Sequence, residues 1–108
     1  MYKSLGNLEE VLLLLVAIMN GEEIYGFSIK LAYEKQVGKS LSMPAIHTAL
    51  KRLEKKGFLS SELGVATKKR GGKRKRLYRI TQSGYQILAD IQENRARLWG
   101  QVGNIRFE

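Results

Sequence analysis

The chain has 108 residues, no cysteine, and 19 Lys plus Arg against 10 Asp plus Glu, a formal charge of +9. That length holds one domain with one core, too small to bury most of its surface without a partner copy. The missing cysteines exclude a disulfide framework and a thiolate metal site and fit a reducing compartment.

The apolar run from Val11 to Met19 is far short of the roughly 18 residues a membrane span requires, and Glu9 and Glu10 stand where a secretory signal would be basic. The expectation is a soluble, cytoplasmic protein. Its charge is concentrated. Between Lys51 and Arg79 there are twelve basic residues and two acidic ones, so this segment carries the whole excess. A localised positive field attracts polyanions through phosphate binding and counterion release.

Residues 5 to 19 place Leu8, Val11, Leu12, Leu15 and Met19 at helical spacing, and Asn20-Gly21 supplies a stop. Leu13, Leu14 and Val16 make the helix apolar on further faces, so it must be covered on more than one side, by its own core or by a second subunit. Glu22 and Glu23 are expected to open a second helix, where acidic groups suit the positive end of the dipole. Ile24, Phe27 and Leu31 would be its buried stripe, and Gly38-Lys39-Ser40 ends it after Val37.

A third helix, about residues 43–56, starts at the N-cap Ser42 with Pro44 in its first turn, where the missing amide hydrogen costs nothing. Ile46, Ala49, Leu50 and Leu53 form its inward stripe. Pro44, His47, Thr48, Lys51 and Lys55 lie opposite, with Arg52 on the flank. From Phe58 the period changes to two: Leu59, Ser61, Leu63 and Val65 share one face, with Phe58, Ser60 and Glu62 on the other. A basic turn follows, Lys68-Lys69-Arg70-Gly71-Gly72-Lys73-Arg74-Lys75-Arg76, and alternation resumes through Thr81. Thr81 can cap a last helix running to about residue 102. There Leu88, Ile91, Leu98, Val102 and Ile105 make a seam, interrupted by Arg95, that resembles a coiled-coil edge.

Three helices and a two-stranded hairpin, mainly α with a small β element, make a winged helix-turn-helix followed by a C-terminal dimerisation helix. The division expected is residues 1–81 for the DNA-binding domain and 82–108 for the dimerisation helix and tail. In this arrangement the third helix enters the major groove and the hairpin lies along the backbone. Ser42, Pro44, Ala45, His47 and Thr48 near the helix start come closest to base edges, while Lys51, Arg52 and Lys55 can hold phosphates. Lys68, Lys69, Arg70, Lys73, Arg74, Lys75 and Arg76 would supply affinity rather than choice, with Arg70 or Arg74 also able to enter a narrow minor groove. A charge run can instead be a solvated loop, but this one lacks the interleaved acids of a solubilising segment.

Several blocks together resemble the PadR family of bacterial transcriptional regulators: Leu5-Gly6-Asn7-Leu8-Glu9 before an apolar run, Glu23-Ile24-Tyr25-Gly26-Phe27-Ser28-Ile29, Ala49 to Leu59, and the wing stretch Arg70 to Thr81 with Gly84 after it. The resemblance implies a homodimeric, usually repressing protein that binds a palindromic operator in double-stranded DNA and exchanges contacts with a partner through its last helix. His47 and Pro44 depart from the Tyr and small residue common in the family, so the operator sequence is not carried over. Some members line a hydrophobic pore with a Trp in a comparable helix. By that resemblance Trp99 would stack a small aromatic effector; structurally, it would fill a subunit contact.

Tyr25 either reaches a phosphate or belongs to the core, with Gly26 beside it permitting close backbone approach. Tyr78 carries the same alternatives. A lone His47 without companion ligands gives no metal site, and no cofactor is implied. No nucleophile–base pair or phosphate-cradling loop supports an enzyme. The competing reading is a non-specific architectural or RNA-binding winged helix.

Overall fold

The computed structural model describes residues 4–64 and 74–108, and in them four helices and one hairpin follow the chain as α1 (Asn7–Ile18), α2 (Gly26–Val37), α3 (Met43–Lys55), β1 (Leu59–Leu63), β2 (Arg76–Ile80) and α4 (Gln82–Trp99). The core joins α1, α2, α3 and the hairpin base: Leu12, Leu13, Val16, Ile29, Ile46, Leu50 and Leu53 are its fully buried side chains. Because α1 meets α2, α3, β2 and α4 in turn, its apolar residues are needed on several faces. Leu12, Leu13, Leu15 and Val16 are all buried, Leu8 and Val11 only partly, and Leu14 and Ile18 are exposed.

The start of α1 is tied down by charge. The Gly6 N–H donates to Glu9 Oε1 at 2.8 Å, and Lys56 Nζ donates to both Glu9 oxygens at 2.9 Å and to the Ser4 carbonyl at 2.8 Å. Burial pushes the Glu9 carboxyl up, but the Gly6 N–H and the Lys56 ammonium more than offset it and hold the group below its ordinary value of 4.5. A carboxyl depressed in the folded state stabilises fully above its ordinary value, and that contribution is lost as pH falls through the folded one. Thermal stability should therefore decline as pH drops below about 4.5, and Glu9→Gln should flatten that limb of a melting-temperature profile; an unchanged limb would place the acid sensitivity elsewhere.

The second helix differs from expectation at its start and on its buried face. Glu22 and Glu23 lie outside it. The chain has no helical turn at Ile24, whose carbonyl accepts the Tyr78 N–H of β2 at 2.8 Å, and the extended Tyr25 becomes the N-cap, its N–H donating to Ser28 Oγ at 2.9 Å. Ile24 is buried as expected, but Phe27 and Leu31 are about half exposed, and Ile29 is the fully buried residue, with Ala32 and Tyr33 packed against the core. This helix has apolar residues on two faces; packing against α1 and α3 selects one of them. It ends as expected: Gly38 takes a left-handed conformation, φ 79°, and donates to the Glu34 carbonyl.

The third helix follows its sequence signals closely. Ser42 Oγ accepts the Ala45 N–H, Ile46, Ala49, Leu50 and Leu53 are buried, and Lys56 caps the end. Gly57, at φ 83°, turns the chain so that Phe58 N–H donates to the Leu53 carbonyl at 3.0 Å. The hairpin is antiparallel, in register from Leu59 opposite Ile80 to Leu63 opposite Arg76. Strict alternation fails at its base, where Phe58 and Leu59 are both buried, because that end packs into the core beside α3. Val65 and the basic tip Lys68, Lys69, Arg70 and Lys73 lie outside the described residues.

Thr81 caps α4 with its hydroxyl oxygen accepting the Gly84 N–H at 3.0 Å, and the same hydroxyl donates to the Gly57 carbonyl at 2.7 Å. The helix stops at Trp99 rather than near 102, and Ile105 lies beyond it in non-helical chain. Leu88 packs on the core and Ile91 is half-buried, but Leu98, Val102 and Ile105 are exposed in this chain. Arg95, which interrupts the expected seam, donates to both Glu10 oxygens at 2.9 and 3.0 Å, fastening α4 to α1 within one chain. No helix among the described residues is long and apolar enough to cross a membrane.

Candidate nucleic-acid interface

Burial of Ile46, Ala49, Leu50 and Leu53 turns the opposite side of α3 to solvent. Ser42, Pro44, His47, Thr48, Lys51, Arg52 and Lys55 are all exposed there, and Ala45 is half-exposed. The residues expected to touch DNA from this helix therefore share one continuous face. Among the described residues no ion pair engages Lys51 or Lys55. Arg52 lies near enough to Glu9 to favour its charged form. Lys56, next in the row, is withdrawn to Glu9 and Ser4.

His47 lies close against the start of α2. A Cβ built on Gly26 would stand 3.0 Å from His47 Nε2 and 3.0 Å from the Met43 methyl carbon. The close approach expected at Gly26 is thus toward α3. A residue without a side chain lets the imidazole and Met43 lie this near the α2 backbone.

The described part of the wing contains three of the expected basic residues, each with a partner. Arg74 Nε donates to the Gly64 carbonyl at 2.8 Å, and an Arg76 guanidinium N–H donates to Ser61 Oγ at 3.0 Å. Lys75 Nζ lies 2.7 Å from Glu23 Oε1 and 3.9 Å from the centroid of the Tyr25 ring. Glu23 first, and Tyr25 after it, raise the Lys75 ammonium above its ordinary value. Arg74 and Arg76 remain exposed residues despite these bonds. The opposite outcome holds for Tyr78, which packs against the core and whose phenol is raised chiefly by burial.

Sequence reasoning did not anticipate Glu23 as a partner of the wing, because 52 residues separate it from Lys75 and no local spacing links them. Trp99 ends α4 with three quarters of its surface exposed. Among the described residues no three His, Asp or Glu side chains converge as a metal site.

A helix with a buried stripe and a solvent-facing polar, cationic side, followed by an antiparallel hairpin and a long capping helix, is the winged helix-turn-helix architecture of transcription regulators. Residues 14–90 match the model of the Transcriptional regulator PadR-like family, and the chain belongs to that family. The fold is that of solved relatives. A Streptococcus mutans protein superposes with a TM-score of 0.66 at 24% identity, covering 100% of both chains. A PadR family transcriptional regulator from Eggerthella lenta gives 0.66 at 21% identity over 83% of this chain and 75% of its own. Bacillus subtilis PadR, crystallised in complex with operator DNA, gives 0.59 at 21% identity over 91% of this chain, which spans about half (51%) of that protein. No curated protein matches the chain in a sequence comparison. The family is one of transcriptional regulators, not of enzymes.

Proposed function

We propose that the protein is a homodimeric, sequence-specific DNA-binding repressor acting in the cytoplasm. The observation that carries this reading is the outward face of α3, where His47 and Thr48 near the helix start are followed by Lys51 and Lys55, exposed and without ion-pair partners among the described residues. Groups near the N-terminus of such a helix meet base edges, and cations one and two turns later meet phosphates. The operator complex of Bacillus subtilis PadR supports the same assignment by family membership.

Residues 1–81 form the DNA-binding unit in this proposal, and 82–108 the dimerisation helix and tail. The exposed apolar residues Leu14 and Ile18 on α1, with Leu98, Trp99 and Val102 at and just past the end of α4, support an interface with a second copy. A two-fold dimer would read a palindromic operator with half-sites about one helical turn apart. Trp99 in that interface is also where a flat aromatic effector would stack.

Selecting bound duplexes from a random pool, then titrating them against salt, tests the proposal. Specific sites should bind roughly 10³-fold or more tighter than random ones. Equal affinity for every duplex would instead support the non-specific architectural or RNA-binding alternative. His47→Ala should change the preferred bases and leave the salt slope intact, because an imidazole at this position reads rather than neutralises. Uniform weakening across sequences would remove His47 from the reading set.

A further inference from the structure

We infer that Lys75 is a positioning residue of the wing: Glu23 and Tyr25 hold its ammonium, and this clasp is its contribution to DNA binding. The inference rests on the reading of the hairpin as a DNA-contacting wing. Sequence alone assigns Lys75 to the phosphate-binding run, beside Arg74 and Arg76. Its geometry differs from theirs. The Lys75 side chain is 19% exposed and its ammonium is bonded to Glu23 Oε1 at 2.7 Å, over the Tyr25 ring at 3.9 Å. To reach a phosphate it would have to leave a carboxylate and an aromatic face together.

The clasp sits where the wing root joins the rest of the domain. Beside it the Tyr78 N–H of β2 donates to the Ile24 carbonyl, so residues 23–25 hold the wing by a backbone bond and by the Lys75 side chain. Tyr25 is the N-cap of α2, and the next residue, Gly26, lies close against His47. One short segment therefore touches both the wing and the reading helix. The base of the two-stranded sheet is anchored by Phe58 and Leu59 in the core, and residues 23–25 add a second hold farther along β2, at Tyr78 and Lys75.

Charge makes the inference testable by sign. Glu23 is an anion beside a surface proposed to meet DNA, so on charge alone its removal should tighten binding and free Lys75 for a phosphate. The clasp requires the reverse. In the full chain, with a duplex obtained by selection, Glu23→Gln should weaken binding roughly fivefold. The exchange Glu23→Lys with Lys75→Glu should recover part of the loss, because the ion pair is restored with its polarity inverted while the attraction of a cation to the Tyr25 face is not. Lys75→Met should leave the salt slope unchanged, whereas removal of a phosphate-bound cation would lower it by about 0.9.

Tighter or unchanged binding by Glu23→Gln, or a slope lowered in Lys75→Met, overturns the inference. Amide exchange at Tyr78 supplies a readout independent of DNA: it should quicken in Glu23→Gln and slow again in the charge exchange, and an unaltered rate in both overturns the clasp. If the parent chain selects no duplex, the DNA reading falls, and the exchange rates still decide whether the clasp holds the wing.

Discussion

Replacing Gly84 with alanine is expected to destabilise the fold by about 3 kcal/mol, the upper range for forcing atoms into a packed site. The added Cβ would lie 2.2 Å from the Phe58 carbonyl oxygen and 2.9 Å from Ile80 Cγ1. Neither neighbour is the free end of a long side chain. The Phe58 backbone is held on both sides, its N–H donating to the Leu53 carbonyl and its own carbonyl accepting the Thr81 N–H at 3.1 Å. Relief therefore requires α4 to move away from the hairpin base, and that motion breaks the Thr81 cap and its bond to Gly57.

Gly103→Ala is the matched control, since nothing lies within 4 Å of the Cβ it would add; its effect should stay within about 0.5 kcal/mol. Denaturant titration of the two variants is the measurement. A Gly84→Ala effect under about 1 kcal/mol would mean that α4 slides without disturbing the cap.

The double substitution Lys51→Ala with Lys55→Ala is expected to lower the salt slope of DNA binding by about 2, one for each phosphate no longer neutralised. Both side chains are exposed on the outer side of α3 and without ion pairs among the described residues. Their removal should leave stability within about 0.5 kcal/mol and weaken all duplexes alike. Lys56→Ala should behave in the opposite way. Its ammonium is already committed to Glu9 and the Ser4 carbonyl, so stability should fall while the slope holds. A slope that drops equally in Lys56→Ala would extend the phosphate-binding face to the end of the helix.

These contrasts mark what is legible in the chain before it folds. The third helix is fully so: a serine cap, a proline in the first turn and four apolar residues at helical spacing are local signals, and Ile46, Ala49, Leu50 and Leu53 are buried accordingly. Thr81 as the cap of α4 is legible for the same reason. The second helix is not. Glu22 and Glu23 look like a favourable first turn, but Ile24 is worth more as a buried neighbour of β2, its carbonyl paired with Tyr78. Phe27 and Leu31 carry the helical period yet remain half exposed, because Ile29 and Tyr33 offer a competing face that packs on the core.

The basic run resolves similarly where it is described. Its composition announces phosphate affinity, and Arg74 and Arg76 keep exposed positions consistent with that. Lys75 is chemically alike but sits over Tyr25, an outcome that no property of residues 68–76 encodes. Arg95 is a parallel case: along the chain it reads as a defect in an apolar seam, and in the fold it is the partner of Glu10.

Local signals alone were thus enough to specify the winged helix-turn-helix, the outward face of α3 and the localisation of positive charge, because caps, turns and periodicity act over four residues or fewer; the family was legible only through the resemblance of its sequence blocks. Packing was needed to select the buried face of α2, to explain why position 84 must lack a side chain, and to commit particular cations inside the domain. Those outcomes depend on groups as far apart as Glu10 and Arg95, or Glu23 and Lys75, that meet only after the helices have come together.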